Sequence, residues 1–92
     1  MSWSGGELKH KRTGRFAYDL ENSVCGHYLF DDDLECRGYF DFGFDSMVGE
    51  FFEYVREPDI TQEKWDEIFE TLKRKALEYS EETKHTIKDI YV

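Results

Sequence analysis

Proline occurs once in these 92 residues, at Pro58, and low-complexity tracts are absent. That argues against a disordered chain in spite of its charge. There are two cysteines, Cys25 and Cys36, too few for a fold held together by disulfides. No apolar run nears the roughly 20 residues that span a bilayer. The opening MSWSGGELKHKRTG holds no hydrophobic segment of export type, so a reduced, cytoplasmic protein is expected. Glycine-rich stretches are short (GG, FGF) and lack a following Lys-Ser/Thr at phosphate-loop spacing. No His/Cys spacing resembles a zinc site. Neither a cofactor nor a resident metal is expected.

Basic residues are also in the minority, 12 Lys and Arg against 21 Asp and Glu, for a net charge of −9. The imbalance is local. Residues 1–18 carry +3, residues 19–70 carry sixteen acids against three bases, and residues 71–92 come to +1. A field of that sign repels nucleic acid and speeds encounter with basic surfaces. Direct binding of DNA or RNA by the middle of the chain is therefore not expected.

Aromatics are plentiful: eight Phe, six Tyr and two Trp. Each buries a large area, so a chain with room for a single domain and one modest core still gains enough hydrophobic stabilisation. From Arg15 to Phe42 the pattern has the two-residue period of strands. Phe16, Tyr18 and Leu20 alternate with Arg15, Ala17, Asp19 and Glu21; Val24, Gly26, Tyr28 and Phe30 follow in the same period, then Leu34, Cys36, Gly38, Phe40 and Phe42. Centring the second hairpin on Asp32 pairs Phe30 with Leu34, Tyr28 with Cys36, Gly26 with Gly38 and Val24 with Phe40, all on one apolar face. Cys25 and Cys36 then fall on opposite faces and are not expected to form a disulfide. The two glycines leave a shallow notch where a helix or a large aromatic can approach closely.

Beyond Gly43 the period becomes helical. Asp45 or Ser46 is a candidate cap for a helix through Met47, Val48, Phe51, Phe52 and Val55, ending before Pro58. Thr61, with Asp59 as competitor, caps a second helix whose apolar positions run from Trp65 to Ile90 at three- and four-residue spacing, close to thirty residues unless it breaks near Ser80. Residues 1–14 read as an edge strand or a mobile basic arm. The expected fold is α+β: a three- or four-stranded antiparallel meander with two helices packed on one face, the second long.

The stretch YLFDDDLECRGYFDFGFD concentrates the chemistry. Asp31, Asp32 and Asp33 lack the alternating ligands and central glycine of a calcium loop, and alternate carboxylates on a tight hairpin are expected to point apart. A single Asp suffices for a turn, so the surplus charge suggests a surface for a basic partner, extended by Glu35, Tyr39, Asp41 and Asp45. As exposed turn positions, the three aspartates should tolerate reversal to Lys. Glu63, Asp66, Glu67 and Glu70 form a second acidic cluster at the start of the long helix. There they complement the macrodipole, yet Glu63 with Glu67 and Asp66 with Glu70 are like-charged at i,i+4. The nearest approach to catalytic machinery is Cys25 with His27, about 7 Å apart on one strand, with no orienting acid in view.

These readings converge on a small, acidic, non-enzymatic binding protein. It would use Asp31, Asp32, Asp33, Glu35, Tyr39, Asp41, Asp45, Glu63, Glu67 and Glu70 to occupy a basic surface on another protein. Nucleic-acid enzymes present such surfaces, so inhibition of the kind exerted by nuclease inhibitors, immunity proteins or phage anti-defence (anti-CRISPR) proteins is the expected function, by analogy of charge and size. The alternative is a structural or regulatory subunit that forms a homodimer or docks through its long C-terminal helix.

Overall fold

The computed structural model of the protein describes residues 3–22, 26–40, 44–56, 60–79 and Tyr91. The fold is α+β, a five-stranded antiparallel sheet with two helices, the second of them long. The strands are β1 (Trp3–His10), β2 (Phe16–Asn22), β3 (His27–Phe30), β4 (Cys36–Phe40) and β5 (Phe52–Tyr54); the helices are α1 (Phe44–Phe51) and α2 (Gln62–Glu78). Strand order is β4-β3-β2-β1-β5. The first four strands form a meander, and α1 then lies in the chain between one edge of the sheet and the other, where β5 joins β1.

The sheet thus has five strands rather than three or four. The extra strand is Phe-Glu-Tyr, which also fits the helical spacing of Met47, Val48 and Phe51. Pairing with β1 decides between the two: Leu8 faces Tyr54 and His10 faces Phe52, and Lys11 N–H to Phe51 C=O and Val55 N–H to Glu7 C=O extend the ladder, each at 2.9 Å. The expected first helix accordingly stops at Phe51. For the same reason Trp3–His10 is neither a mobile arm nor an edge strand but an interior one, flanked by β2 and β5.

The turn from β1 to β2 is built on His10. Its Nδ1 accepts the N–H groups of Arg12 (3.3 Å) and Thr13 (3.1 Å), while its carbonyl accepts Gly14 N–H at 2.8 Å. Gly14 sits at φ +73°, the left-handed region that glycine enters without steric cost.

The two faces of the sheet carry separate cores. Leu20 and Phe30 pack with Ile68, Leu72 and Ala76 of α2, joined by Trp3, Tyr18 and Tyr28. On the other face Leu8, Ala17 and Leu29 pack with Val48 of α1, Phe52 and Tyr91. The helices therefore lie on opposite faces, not on one. Side-chain alternation explains this: Ala17 and Leu29 point away from the face bearing Tyr18, Leu20, Tyr28 and Phe30, and α1 covers them. Each fully buried leucine in these clusters contributes about 1.5–3 kcal/mol relative to exposure.

Helix α2 begins where expected, with Thr61 Oγ1 accepting Lys64 N–H at 3.1 Å. It is 17 residues long, and Tyr79 leaves it in an extended conformation (φ −67°, ψ 133°). The expected continuation through Ile87 and Ile90 lies outside the described residues. Among the described residues no helix is long and apolar enough to cross a membrane.

The second hairpin differs most from expectation. Phe30 faces Cys36, Leu29 faces Gly38, Tyr28 faces Tyr39 and His27 faces Phe40, with a bulge opposite Leu29 and Phe30. Asp31 N–H bonds Glu35 C=O and Leu34 N–H bonds Asp31 C=O, both at 3.0 Å, so the turn closes one residue further along than a hairpin centred on Asp32. Leu34 takes φ +63°, completing a turn followed by a left-handed residue. Arg37 is then the extra residue on β4, and the bulge turns Gly38 and Phe40 to the face opposite Cys36 and Tyr39. The expected notch forms at Gly26 alone: the Tyr39 ring occupies the space a Cβ would need there, and Gly38 pairs elsewhere.

Candidate functional site

The aspartate triplet is chiefly a turn organiser. Asp31 is 6% exposed; its Oδ1 accepts Asp33 N–H and Glu35 N–H, both at 3.0 Å, and its Oδ2 accepts Arg37 Nη1 at 3.1 Å. Asp32 receives Arg15 through two bonds, Nε to Oδ2 at 3.0 Å and Nη2 to Oδ1 at 2.9 Å. That guanidinium holds the Asp32 carboxyl below its ordinary pKa and is itself shifted up, the Asp32 hydrogen bond being the largest cause in both. Glu35 pairs with Lys75 at 3.0 Å. Of the triplet, Asp33 remains exposed and has no ion pair among the described residues. The three carboxylates do approach within 4.8 Å of one another, contrary to the expectation that alternate ones diverge. Asp31 and Asp32 are nonetheless committed to Arg37, Arg15 and two backbone amides, donors that a cation would have to displace.

Helix α2 presents the second cluster differently. Glu63, Asp66, Glu67 and Glu70 follow the i, i+3, i+4, i+7 spacing of one stripe, opposite buried Ile68, Leu72 and Ala76. The Glu67 and Glu70 side chains are 75% and 72% exposed. Lys64 approaches Glu67 at 3.8 Å and Lys73 approaches Glu70 at 2.7 Å, flanking the stripe. Such exposed pairs hold little energy and exchange readily for a partner's charges. The apolar stripe of the described helix is spent on the sheet, leaving Leu77 as its exposed large apolar residue.

Tyr39 is half-buried against Tyr28, with ring centroids 4.9 Å apart. Asp41 and the side chain of Asp45 lie outside the described residues. Within the expected acidic surface, Asp31 and Asp32 are neutralised by Arg37 and Arg15, while Asp33, Glu35 and the α2 stripe face solvent.

Sequence reasoning missed a third constellation. Asp19, 6% exposed, bonds His27 Nδ1 through Oδ1 at 3.0 Å and accepts the Tyr54 hydroxyl on Oδ2 at 3.3 Å. An ionised carboxylate only accepts, so His27 then carries its proton on Nδ1. Burial raises the Asp19 pKa, opposed by the bonds from His27 and Tyr54. An orienting acid for His27 does therefore exist. Its signal lay in register: Asp19 faces Leu29, two residues along from the Glu21/His27 pair, and so lies on the same face as His27. These groups line a depression of about 320 Å³ with Ser4, Gly6 and Glu21. Ser4, the one hydroxyl in the lining other than Tyr54, faces Glu21 across β1 and β2, which puts it two strand spacings, roughly 10 Å, from His27. That is too far for a nucleophile and its base. Cys25 lies outside the described residues. The Cys36 thiol, half-buried on the other face, is pushed up to about 11 by burial, which suppresses the reactive thiolate.

The chain matches no protein family, no curated protein and no solved structure with which it was compared.

Proposed function

We propose that the protein is a non-enzymatic, cytoplasmic binding protein that occupies a basic surface on a nucleic-acid-handling protein and thereby blocks it, in the manner of a nuclease inhibitor, immunity protein or phage anti-defence protein. The observation that carries this reading is the solvent-facing stripe Glu63, Asp66, Glu67 and Glu70 on a helix whose opposite face is fixed to the sheet. A rigid element presenting carboxylates at helical intervals offers a basic groove the charge it evolved to hold, without a flexible segment to order. Asp33 and Glu35 extend the field at the hairpin end, and the net charge of −9 steers encounter.

The test reverses charge on α2 alone. Wild type and Glu63→Lys/Glu67→Lys/Glu70→Lys are immobilised and offered a lysate of the source cells at low and high salt, and retained proteins are identified and assayed on nucleic acid. Expected is a nucleic-acid enzyme that only wild type retains, that salt releases, and that stoichiometric wild-type protein inhibits. Capture indifferent to both charge reversal and salt, or a captured enzyme left fully active, overturns the reading. Concentration-dependent self-association without capture points instead to the assembly role.

A further inference from the structure

The depression floored by Asp19 has no place in the docking surface just described, because it opens on the face of the sheet opposite α2. Side-chain alternation puts Leu8, Ala17 and Leu29 under α1 at one end of this face. At the other end the same alternation leaves Ser4, Gly6, Asp19, Glu21, His27 and Tyr54 around a space of about 320 Å³. Gly6 contributes no side chain, and the Tyr54 ring lies beside the position its Cβ would take, reaching over to Asp19.

The chemistry of the lining is one-sided. It carries two carboxylates, Asp19 and Glu21, and no lysine or arginine. Glu21 has no ion pair among the described residues. Asp19 accepts one hydrogen bond on each oxygen, which leaves each a further lone pair. Tyr54 is 48% exposed and offers an aromatic surface at the rim. The volume is at the low end of ligand pockets, room for one side chain rather than a large cofactor.

We propose that this depression receives a single arginine side chain from a protein partner, its guanidinium set between the Asp19 and Glu21 carboxylates and stacked on Tyr54. Arginine fits better than lysine because a planar fork bonds carboxylates in pairs and stacks on an aromatic face, whereas an ammonium is a compact, strongly hydrated charge. His27 is a positioning residue, holding the Asp19 carboxylate from the side away from Tyr54. The site shares with the proposed function only the premise of a basic partner, and it is tested without one.

The probe is Nα-acetyl-arginine amide, with the uncharged isostere Nα-acetyl-citrulline amide as control, titrated into the full chain while backbone amide resonances are followed by NMR. Saturable shifts at Gly6, Asp19, Glu21, His27 and Tyr54 are expected with the arginine probe and not with the citrulline one. Glu21→Gln, at a half-buried position outside both cores, is expected to raise the dissociation constant about fivefold or more, and Tyr54→Leu to raise it as well. Equal response to the two probes, shifts confined to α2, or unchanged affinity in Glu21→Gln overturns the proposal. Both variants leave Glu63, Glu67 and Glu70 in place, so this failure is distinguishable from failure of docking through α2.

Discussion

Tyr91 and Asp32, 59 residues apart in the chain, are joined by a hydrogen bond of 2.6 Å from the Asp32 N–H to the Tyr91 hydroxyl. The same hydroxyl donates to the Phe16 carbonyl at 2.7 Å, and the Arg15 guanidinium that grips the Asp32 carboxylate lies 4.0 Å above the Tyr91 ring. One residue near the C-terminus thus ties the aspartate turn to the start of β2. Burial pushes the Tyr91 pKa up, so the hydroxyl keeps the proton it donates.

Tyr91→Phe keeps the ring in the cluster with Leu8, Val48 and Phe52 but strands one donor and one acceptor. The variant is expected to lose about 1–2 kcal/mol in urea unfolding, the cost of leaving such groups unmade. An unchanged midpoint would show that water replaces the hydroxyl.

The three adjacent aspartates should differ sharply. Asp31→Ala removes the acceptor of two amides and the partner of Arg37 at a site 6% exposed, and is expected to cost about 3 kcal/mol. Asp33→Ala touches no such bond and should stay within about 0.5 kcal/mol. Reversal of the whole triplet to Lys is then not the mild surface change that turn positions suggest; it should unfold the hairpin. Equal midpoints for Asp31→Ala and Asp33→Ala would return all three to a solvated tip.

What could be read in the sequence was local. Period-two alternation gave β2, β3 and β4, and Thr61 with the stripe Trp65, Ile68, Phe69 and Leu72 gave α2, because these signals depend on neighbours within a turn or a strand. What could not be read depends on distant partners. Phe52, Glu53 and Tyr54 are a strand only because β1 is there to pair with, and β1 is interior only because β5 returns to it. Asp31 looked like surplus charge because its acceptors' donors include Arg37 and the amides of a left-handed turn at Leu34, a conformation a leucine rarely advertises. Asp19 became visible as a partner of His27 only once β2 and β3 were in register.

The last prediction concerns pH. His10 is 6% exposed, edge-on to the rings of Phe52 and Tyr91, and its Nδ1 accepts the N–H groups of Arg12 and Thr13. Burial first, and then the Arg12 guanidinium, lower its pKa below the ordinary 6.5. The unfolded chain therefore takes up the proton at a higher pH than the folded one. Stability from this group is complete above the unfolded value of 6.5 and declines as pH falls below it toward the folded pKa. His10→Gln keeps an acceptor but cannot titrate, so it should be less stable than wild type at about pH 7.5, with the gap narrowing by about pH 5. Urea unfolding of both proteins across that range reads the effect directly. A gap that stays constant would mean that His10 binds its proton equally well folded and unfolded, and that the Nδ1 acceptor role is not what holds the β1–β2 turn.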